Sequence, residues 1–161
     1  AHTLGMIDVN VRAVVDLTTL LWNDLIRRGG QVATVASLAG FQPTPLMTVY
    51  AATKAFVLHW SVALDTEAKA HGVRCVAICP GPVSTNFWRG AGLSKPTGLG
   101  GQTSAECVDD ALAGMIRQKP IVITGWKNRC LAFWSARVPK TWAAALGLKI
   151  IRRLRVDADK A

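Results

Sequence analysis

The sequence predicts an α/β protein built around a parallel sheet. Three short apolar segments of strand length, at residues 31–36, 73–79 and 120–125, alternate with longer segments whose apolar residues recur at helical spacing. The second strand is almost continuously apolar, as expected of a parallel strand covered by helices on both faces. This alternation is typical of doubly wound folds, which bind ligands beyond the carboxyl ends of their strands.

Three helices are predicted between and around these strands. The first covers residues 6–28 and ends at the glycine pair beginning with Gly29. The second covers residues 47–71 and is stopped by Gly72. The third covers residues 104–118, and its first residue is the predicted capping serine. The stretch between the second strand and the third helix is rich in Gly, Ser, Pro and Thr and is predicted to be a loop.

The positive charge is concentrated at one end of the chain. The 161 residues carry a formal charge of +9, but residues 1–126 contain ten Lys/Arg against eight Asp/Glu, whereas residues 127–161 contain nine against two. This distribution argues against a nucleic-acid surface on the body of the protein. It divides the chain into a mixed-charge domain, residues 1–126, and a basic tail, residues 127–161.

The tail mixes basic with apolar and aromatic residues in one or two predicted helices, broken near Pro139. Two interpretations follow. The tail packs on a sister subunit, which the sequence favours slightly, or it lies as an amphipathic segment in a membrane interface.

Four cysteines, at positions 75, 79, 107 and 130, have neither the spacing of a metal site nor that of a disulfide framework. We therefore predict buried free thiols, a reducing compartment and no metal. The sequence has no signal-peptide pattern and no uncharged apolar run of about eighteen residues. The prediction is a cytoplasmic protein, with peripheral membrane contact through the tail as the alternative.

The most informative residues are Ser37, Tyr50 and Lys54. Tyr50 and Lys54 are four residues apart in a predicted helix and so lie on the same face. A cation beside a phenol favours the phenolate, which brings the tyrosine pKa closer to neutrality. Ser37 ends the first predicted strand, at the edge where an open α/β sheet binds its ligand.

These residues resemble the short-chain dehydrogenase/reductase family. The resemblance rests on Ser37, on the Tyr-x-x-x-Lys pair at Tyr50 and Lys54, on Asn10 upstream, and on the Cys-Pro-Gly-Pro-Val-Ser-Thr segment that begins at Cys79. It extends from Met6 to about Trp126. It implies a Rossmann-type fold of which the C-terminal part, with three strands, is present, followed by the basic helical tail.

The resemblance also implies that the domain at residues 1–126 is an incomplete NAD(P)-binding unit. In the family a glycine-rich phosphate loop precedes the helix that carries Asn10, and that loop does not occur in this sequence. We expect that about 80–100 residues, the first of two βαβαβ halves, are missing. We also expect that these 161 residues alone bind cofactor poorly, are inactive and tend to aggregate.

The resemblance assigns a role to each of four catalytic residues. Tyr50 is the acid or base that moves the proton on the substrate oxygen. Lys54 lowers the tyrosine pKa and holds the ribose hydroxyls of the cofactor, Ser37 hydrogen-bonds the substrate oxygen, and Asn10 completes a proton relay through water.

The same resemblance implies NAD or NADP as cofactor, because the loops that distinguish the two belong to the first half of the fold. The turn after the second strand holds the nicotinamide carboxamide, with Val83 acting through its backbone and Thr85 through its hydroxyl. The implied cofactor-binding set is Tyr50, Lys54, Pro80, Gly81, Val83 and Thr85. Phe87 and Trp88 begin a loop that similar enzymes use as a substrate lid, and they are candidate substrate contacts or packing residues.

The sequence therefore predicts an NAD(P)-dependent oxidoreductase that interconverts an alcohol and a ketone or aldehyde, with a small and hydrophobic substrate. In the family the helices corresponding to residues 6–28 and 47–71 form the subunit interface, which predicts a homodimer or homotetramer. The alternative is a non-catalytic dimerisation or membrane-surface module that keeps these helices. The four catalytic residue types at their family spacing argue against that alternative.

Overall fold

Three parallel strands form a single sheet in a computed structural model that describes residues 2–87 and 101–158, with side chains described for residues 3–87 and 101–153. The strand order is β1–β2–β3, so β2 is central. The strands are β1 Gln31–Val35, β2 Arg74–Cys79 and β3 Ile121–Ile123. This arrangement confirms the predicted α/β class.

The register places the carboxyl ends of β1 and β2 side by side. Gln31 is opposite Arg74 and Val35 is opposite Ile78, while Cys79 at the end of β2 is opposite Ile123 of β3. Within the described residues β1 pairs with β2 alone, so its other side is a sheet edge.

Helices surround the sheet and account for most of the remaining residues. The α-helices are α1 His2–Ile7, α2 Ala13–Arg28, α3 Thr48–Ala68, α4 Ser104–Ile116, α5 Trp126–Ser135 and α6 Lys140–Ala158. A π-helical turn, Asp8–Arg12, joins α1 to α2, and short 3₁₀ helices cover Leu38–Phe41 and Lys69–His71. No helix in the described part of the chain is long and apolar enough to cross a membrane.

Two predicted helix boundaries need correction. The helix predicted over residues 6–28 already begins by residue 2, and the π-helical turn interrupts it. The cap of α4 is Thr103, not the next residue, because Thr103 is the last residue with extended backbone. Its hydroxyl accepts from the amide of Glu106, whose carboxylate accepts from the Thr103 amide at 2.8 Å, which makes a capping box.

The predicted break near Pro139 is confirmed, because α5 ends at Ser135 and α6 begins at Lys140. Helix α6 packs on the loop that precedes α3. A Cβ atom at Gly147 would lie 3.5 Å from Cδ of Pro45, and the Lys140 ammonium donates to the carbonyl of Phe41 at 3.1 Å. One side of α6 is therefore attached to the body.

The core lies between α3 and the sheet. Its buried members are Ala36, Val57, Leu58, Ala77 and Cys79. All four cysteines are free thiols, as predicted, but burial varies: Cys75 and Cys79 are buried in β2, whereas Cys130 is exposed on α5. The prediction of buried thiols was therefore wrong for Cys130.

A buried carboxylate joins the end of α3 to the start of β2. Asp65 is 1% exposed, and its Oδ1 accepts from Nε of Arg74 at 2.8 Å and from the amide of Cys75 at 2.9 Å. Nζ of Lys69 lies 3.1 Å from its Oδ2. Burial alone would raise the pKa of Asp65, but these hydrogen bonds, chiefly those from Arg74, lower it from 3.8 to about 2.

We expect Asp65→Asn to lower the free energy of unfolding by about 3 kcal/mol at neutral pH, because Arg74 loses its buried partner. The native pKa lies below the unfolded one, so the carboxylate stabilises the fold above about pH 4 and loses this contribution as the pH falls towards 2. Urea unfolding should therefore show that the difference in free energy of unfolding between wild type and variant narrows by about 2 kcal/mol as the pH falls from about 4 to 2. Asp24→Asn, which breaks an exposed pair with Arg27, is the control and should cost under about 1 kcal/mol. Equal effects of the two substitutions would contradict this assignment.

Candidate functional site

The site begins where β1 and β2 end, because their pairing continues past the last strand residues. The amide of Ala36 donates to the carbonyl of Ile78, and the amide of Leu38 donates to the carbonyl of Pro80, both at 2.8 Å. Ser37 lies between these two bonds in an extended conformation, and its Oγ accepts from the amide of Ala39 at 3.1 Å. The serine and the turn after β2 are thus held next to each other.

Gly40 brings the first turns of α3 close to Ser37. A Cβ atom at position 40 would lie 2.8 Å from the backbone oxygen of Lys54, so a larger residue there would push the 3₁₀ helix away from α3. This close approach is what allows Tyr50, one turn before Lys54, to reach the serine.

The Ser37 hydroxyl lies near enough to the Tyr50 phenol to act on its pKa as a hydrogen-bond partner. Burial raises the pKa of the Tyr50 phenol, and the hydrogen bond with Ser37 partly offsets this by lowering it. The net direction differs from the predicted lowering by Lys54. In this structure the Tyr50 phenol therefore keeps its proton at neutral pH and can donate it.

Lys54 lies beside Tyr50 but is bonded to the sheet. Its ammonium is 5.8 Å from the centre of the Tyr50 ring and donates to the carbonyl of Val35 at 2.8 Å. Burial lowers the pKa of Lys54, while the neighbouring Cys79 raises it. The pKa of Tyr50 is accordingly shifted by burial and by Ser37, not by this cation.

Asn10 reaches the same helix through a residue that the sequence did not single out. Its Nδ2 donates to Oγ1 of Thr53 at 3.1 Å, and that hydroxyl donates to the backbone oxygen of Tyr50 at 2.8 Å. Thr53 is 3% exposed. Asn10 is therefore brought to the site, in contact with Thr53 rather than Lys54. The signal that could have identified Thr53 is its position as a polar residue inside the Tyr-x-x-x-Lys segment.

The turn after β2 is held from behind by a buried asparagine. A Cβ atom at Gly81 would overlap the amide group of Asn128. Asn128 is buried on α5 and donates through Nδ2 to the carbonyl of Thr124 at 2.8 Å. Glycine at position 81 is therefore required by this contact, and Asn128 is a supporting residue that sequence reasoning missed.

The following residues of the turn pair with Gln102. Its amide donates to the carbonyl of Pro82 at 3.0 Å and its carbonyl accepts from the amide of Ser84 at 2.9 Å, a bridge that holds Val83. Thr85 lies just beyond, where its Oγ1 accepts from the amide of Phe87 at 3.3 Å. The predicted cofactor turn is thus an ordered element, anchored on the segment that leads into α4.

Asp110 orders this anchor. Its Oδ2 accepts from the amide of Gly125 at 2.8 Å and from Nε2 of Gln102 at 2.9 Å, and Oδ1 lies 3.7 Å from Arg129. These bonds, first that of Gly125, lower the pKa of Asp110. The side-chain oxygen of Gln102 is buried without a partner. Neither residue was predicted, because nothing in the local sequence marks Gln102 or Asp110 as a residue that holds this turn.

Of the two candidate substrate residues, the structure places one. The ring of Phe87 lies 5.4 Å from that of Tyr50, centre to centre, at an angle of 44°. Trp88 lies outside the described residues. Phe87 therefore has a position consistent with contact to a molecule at Tyr50, and its role stays a prediction.

The thiol of Cys79, at the end of β2, is buried next to the site. Burial raises its pKa to about 12, against opposing effects of Lys54 and of the Ser37 amide. Such a thiol stays protonated at neutral pH and is not a nucleophile. Within the described residues no group of three or more His, Cys, Asp or Glu side chains is arranged to hold a metal ion.

The residues present fit a nicotinamide and its ribose. A phenol, a serine hydroxyl and an ammonium converge at one end of the sheet, next to the turn that follows β2. Tyr50, Lys54, Pro80, Gly81, Val83 and Thr85 all lie in or beside this cluster. Their roles in binding stay a prediction.

Residues 2–95 match the protein family described as short chain dehydrogenase. Over 94 residues the chain is 37% identical to the very-long-chain 3-oxoacyl-CoA reductase-B of Danio rerio, an alignment that covers 58% of this chain and 29% of the reductase. The chain thus spans less than a third of that relative.

Two solved structures share the fold at 30% identity. A short-chain dehydrogenase from Sphingobium yanoikuyae in complex with NADPH aligns with a TM-score of 0.69, covering 81% of this chain and 52% of that protein. The bulky-bulky ketone specific alcohol dehydrogenase from Comamonas testosteroni aligns with a TM-score of 0.61, covering 73% and 43%.

We expect Gly81→Ala to lower the free energy of unfolding by about 1–3 kcal/mol, because the new methyl group displaces the buried Asn128 amide. The double variant Gly81→Ala with Asn128→Ala should be more stable than the sum of the two single effects, measured by urea unfolding as a double-mutant cycle. Gly5→Ala is the control, since no atom lies within 4 Å of its added Cβ, and it should be neutral or stabilising. Additive effects at positions 81 and 128 would show that the two residues do not support each other.

Proposed function

Because this chain belongs to the short-chain dehydrogenase family, we propose that it supplies the catalytic end of an NAD(P)-dependent oxidoreductase that interconverts a ketone and an alcohol. The observation that carries the proposal is the convergence of Ser37, Tyr50 and Lys54, with the Ser37 hydroxyl near the phenol of Tyr50 and the Lys54 ammonium 5.8 Å from its ring. These groups can polarise and protonate one oxygen atom.

Tyr50 acts on the substrate oxygen. In the direction of ketone reduction its hydroxyl gives a proton to the carbonyl oxygen, and in the reverse direction the phenolate takes the proton from the alcohol. The raised pKa of Tyr50 means that the phenol holds a proton at neutral pH, which a proton donor to the carbonyl requires. Ser37, near the phenol, donates to the same oxygen and orients it.

Lys54 and the turn after β2 hold the cofactor. When bound, a nicotinamide cofactor supplies or accepts the hydride. Lys54 holds the ribose hydroxyls, while the backbone of Val83 and the hydroxyl of Thr85 hold the carboxamide. Asn10, tied to α3 through Thr53, serves the proton relay to the site through water. NAD and NADP both fit these residues.

The substrate class follows from the site and from the relatives' names. The name of the Danio rerio protein specifies a 3-oxoacyl thioester and that of the Comamonas testosteroni enzyme a bulky ketone. We propose a small-molecule ketone or its alcohol with an apolar substituent, which Phe87 would contact next to Tyr50. The proposed location is the cytoplasm.

Self-association is the proposed quaternary state, as a homodimer or homotetramer. Helix α2 buries none of its residues in this chain and exposes Leu17, Leu20 and Leu21. Apolar side chains clustered on a helix favour a protein partner. The same exposed face supports the alternative function, a non-catalytic dimerisation module, which would not need the bond between Tyr50 and Ser37.

Tyr50→Phe in the full-length protein should reduce kcat for ketone reduction by at least about a hundredfold, because the proton donor is removed. Cofactor affinity, measured by fluorescence titration, should change little because the ring and Lys54 remain. Thr66→Val removes a hydroxyl from the exposed part of the same helix and should leave kcat unchanged. Full activity of Tyr50→Phe would refute the catalytic assignment and favour the dimerisation module.

Ser37→Ala should move the pH dependence of alcohol oxidation to higher pH. Oxidation requires the Tyr50 phenolate, and the hydrogen bond from Ser37 is what lowers a pKa that burial has raised. The measurement is kcat/KM for oxidation against pH, in which the rising limb of the variant should lie to the alkaline side of wild type. Ser104→Ala, at an exposed position on α4, is the control. If the rising limb of the variant's pH profile stayed in place while its maximum kcat/KM fell, Ser37 would orient the substrate without changing the pKa of Tyr50.

A further inference from the structure

The two C-terminal helices carry a surface that the proposed chemistry does not use. Residues 126–153, which include α5 and most of α6, contain seven Lys/Arg and no Asp/Glu. Residues 1–125 contain ten Lys/Arg and eight Asp/Glu, so their charges nearly balance. The unbalanced positive charge of the described chain is therefore located on these helices.

Helix α6 exposes an apolar stripe. Trp142, Leu146 and Ile150 are four residues apart, so they lie on one face, and they are 71%, 61% and 39% exposed. Ala143 and Ile151 are buried on the side that packs against the protein. A tryptophan and two large aliphatic side chains are thus left in contact with water.

Cations share this exposed face. Lys149 follows Trp142 by seven residues, or two helical turns, and Arg153 follows Leu146 by the same interval. Both are exposed, as is Arg152 next to them. The face therefore alternates apolar side chains with long basic ones, whose methylene stems can cover apolar surface while their charges stay in a polar layer.

Helix α5 repeats the combination with aromatic rings. Trp126, Phe133 and Trp134 are exposed. The ammonium of Lys127 lies 5.7 Å from the centre of the Trp126 ring, and the guanidinium of Arg137 lies 3.5 Å from that of Phe133. Exposed aromatic rings accompanied by cations suit the boundary between lipid headgroups and acyl chains.

We propose that the exposed face of α6, together with the exposed aromatic residues of α5, docks in the interface of a membrane that contains anionic lipid. Anionic headgroups would neutralise the cations, and the acyl boundary would cover the apolar stripe. The face that docks is formed by Trp142, Leu146, Lys149, Ile150 and Arg153. The proposal is independent of the catalytic one, because none of these residues belongs to the site at Tyr50.

Two other occupants fit this face less well. A second copy of the chain would bring the same cations and, between residues 126 and 153, no acidic residues, so the two faces would repel each other. A nucleic acid would neutralise the cations, but its phosphates would leave Leu146 and Ile150 without an apolar partner. These arguments favour the membrane interface over subunit packing for this face.

The test is flotation of the full-length protein with vesicles of phosphatidylcholine alone and of phosphatidylcholine mixed with phosphatidylglycerol. We expect binding to the anionic vesicles, weakened by salt, and little binding to the neutral ones. Lys149→Gln with Arg153→Gln should weaken the binding constant by about fivefold for each cation removed. Trp142→Ala with Leu146→Ala should weaken it by at least about tenfold.

Matched controls lie outside the surface. Ile116→Ala removes an apolar side chain that is 82% exposed at the end of α4, and Arg117→Gln removes an exposed cation next to it. Neither should change vesicle binding. Because every substituted side chain is exposed, the variants should keep the wild-type unfolding midpoint, which circular dichroism checks.

Three results would overturn the proposal. One is binding that does not depend on anionic lipid or is unchanged in the α6 variants. Another is a sedimentation experiment in which Trp142→Ala with Leu146→Ala turns an oligomer into a monomer, which would make the face a subunit contact. The third is binding of duplex DNA that the α6 variants lose while vesicles do not bind, which would make it a nucleic-acid surface.

Discussion

The hydrogen bond from the amide of Leu38 to the carbonyl of Pro80 is the contact on which the geometry of the site depends. It extends the parallel pairing of β1 and β2 beyond the strands, so that Ser37 and the turn after β2 leave the sheet side by side. The bond from Lys54 to the carbonyl of Val35 ties α3 to the same strand end. Three segments that are distant in the sequence therefore meet at one place without a loop having to reach across.

Much of the fold follows from local signals in the sequence. The strands and helices were predicted because apolar spacing, glycine stops such as Gly72 and the break at Pro139 act over a few residues, and the structure has these elements. The resemblance implied one site for Ser37 and Tyr50, and the structure places the two side chains near each other. The π-helical turn was not foreseen, because its one extra residue leaves the apolar pattern almost unchanged.

The supporting residues could not be predicted for a different reason. Thr53, Gln102, Asp110 and Asn128 are polar residues in or near helices, where sequence reasoning expects solvent. Their contacts are made with neighbours that are distant along the chain, such as Gly81 against Asn128. The direction of the Tyr50 pKa depends in the same way on tertiary packing, since burial outweighs the nearby charge that the sequence does reveal. The chemical type of a side chain is evident from the sequence, whereas the burial and the charges that set its pKa depend on the folded structure.

The π-helical turn at Asp8–Arg12 constrains the length of this segment as well as its composition. In it the amide of Ala13 donates to the carbonyl of Asp8, five residues earlier, so the turn accommodates one residue more than a regular helix. Because the π-helical turn takes up this extra residue locally, α1 and α2 keep the relative rotation that they would have in an unbroken helix one residue shorter. Asn10 lies within the turn and donates to Thr53 from there. An insertion or deletion in the turn therefore acts first on the contact between Asn10 and Thr53, and much less on the packing of the two helices.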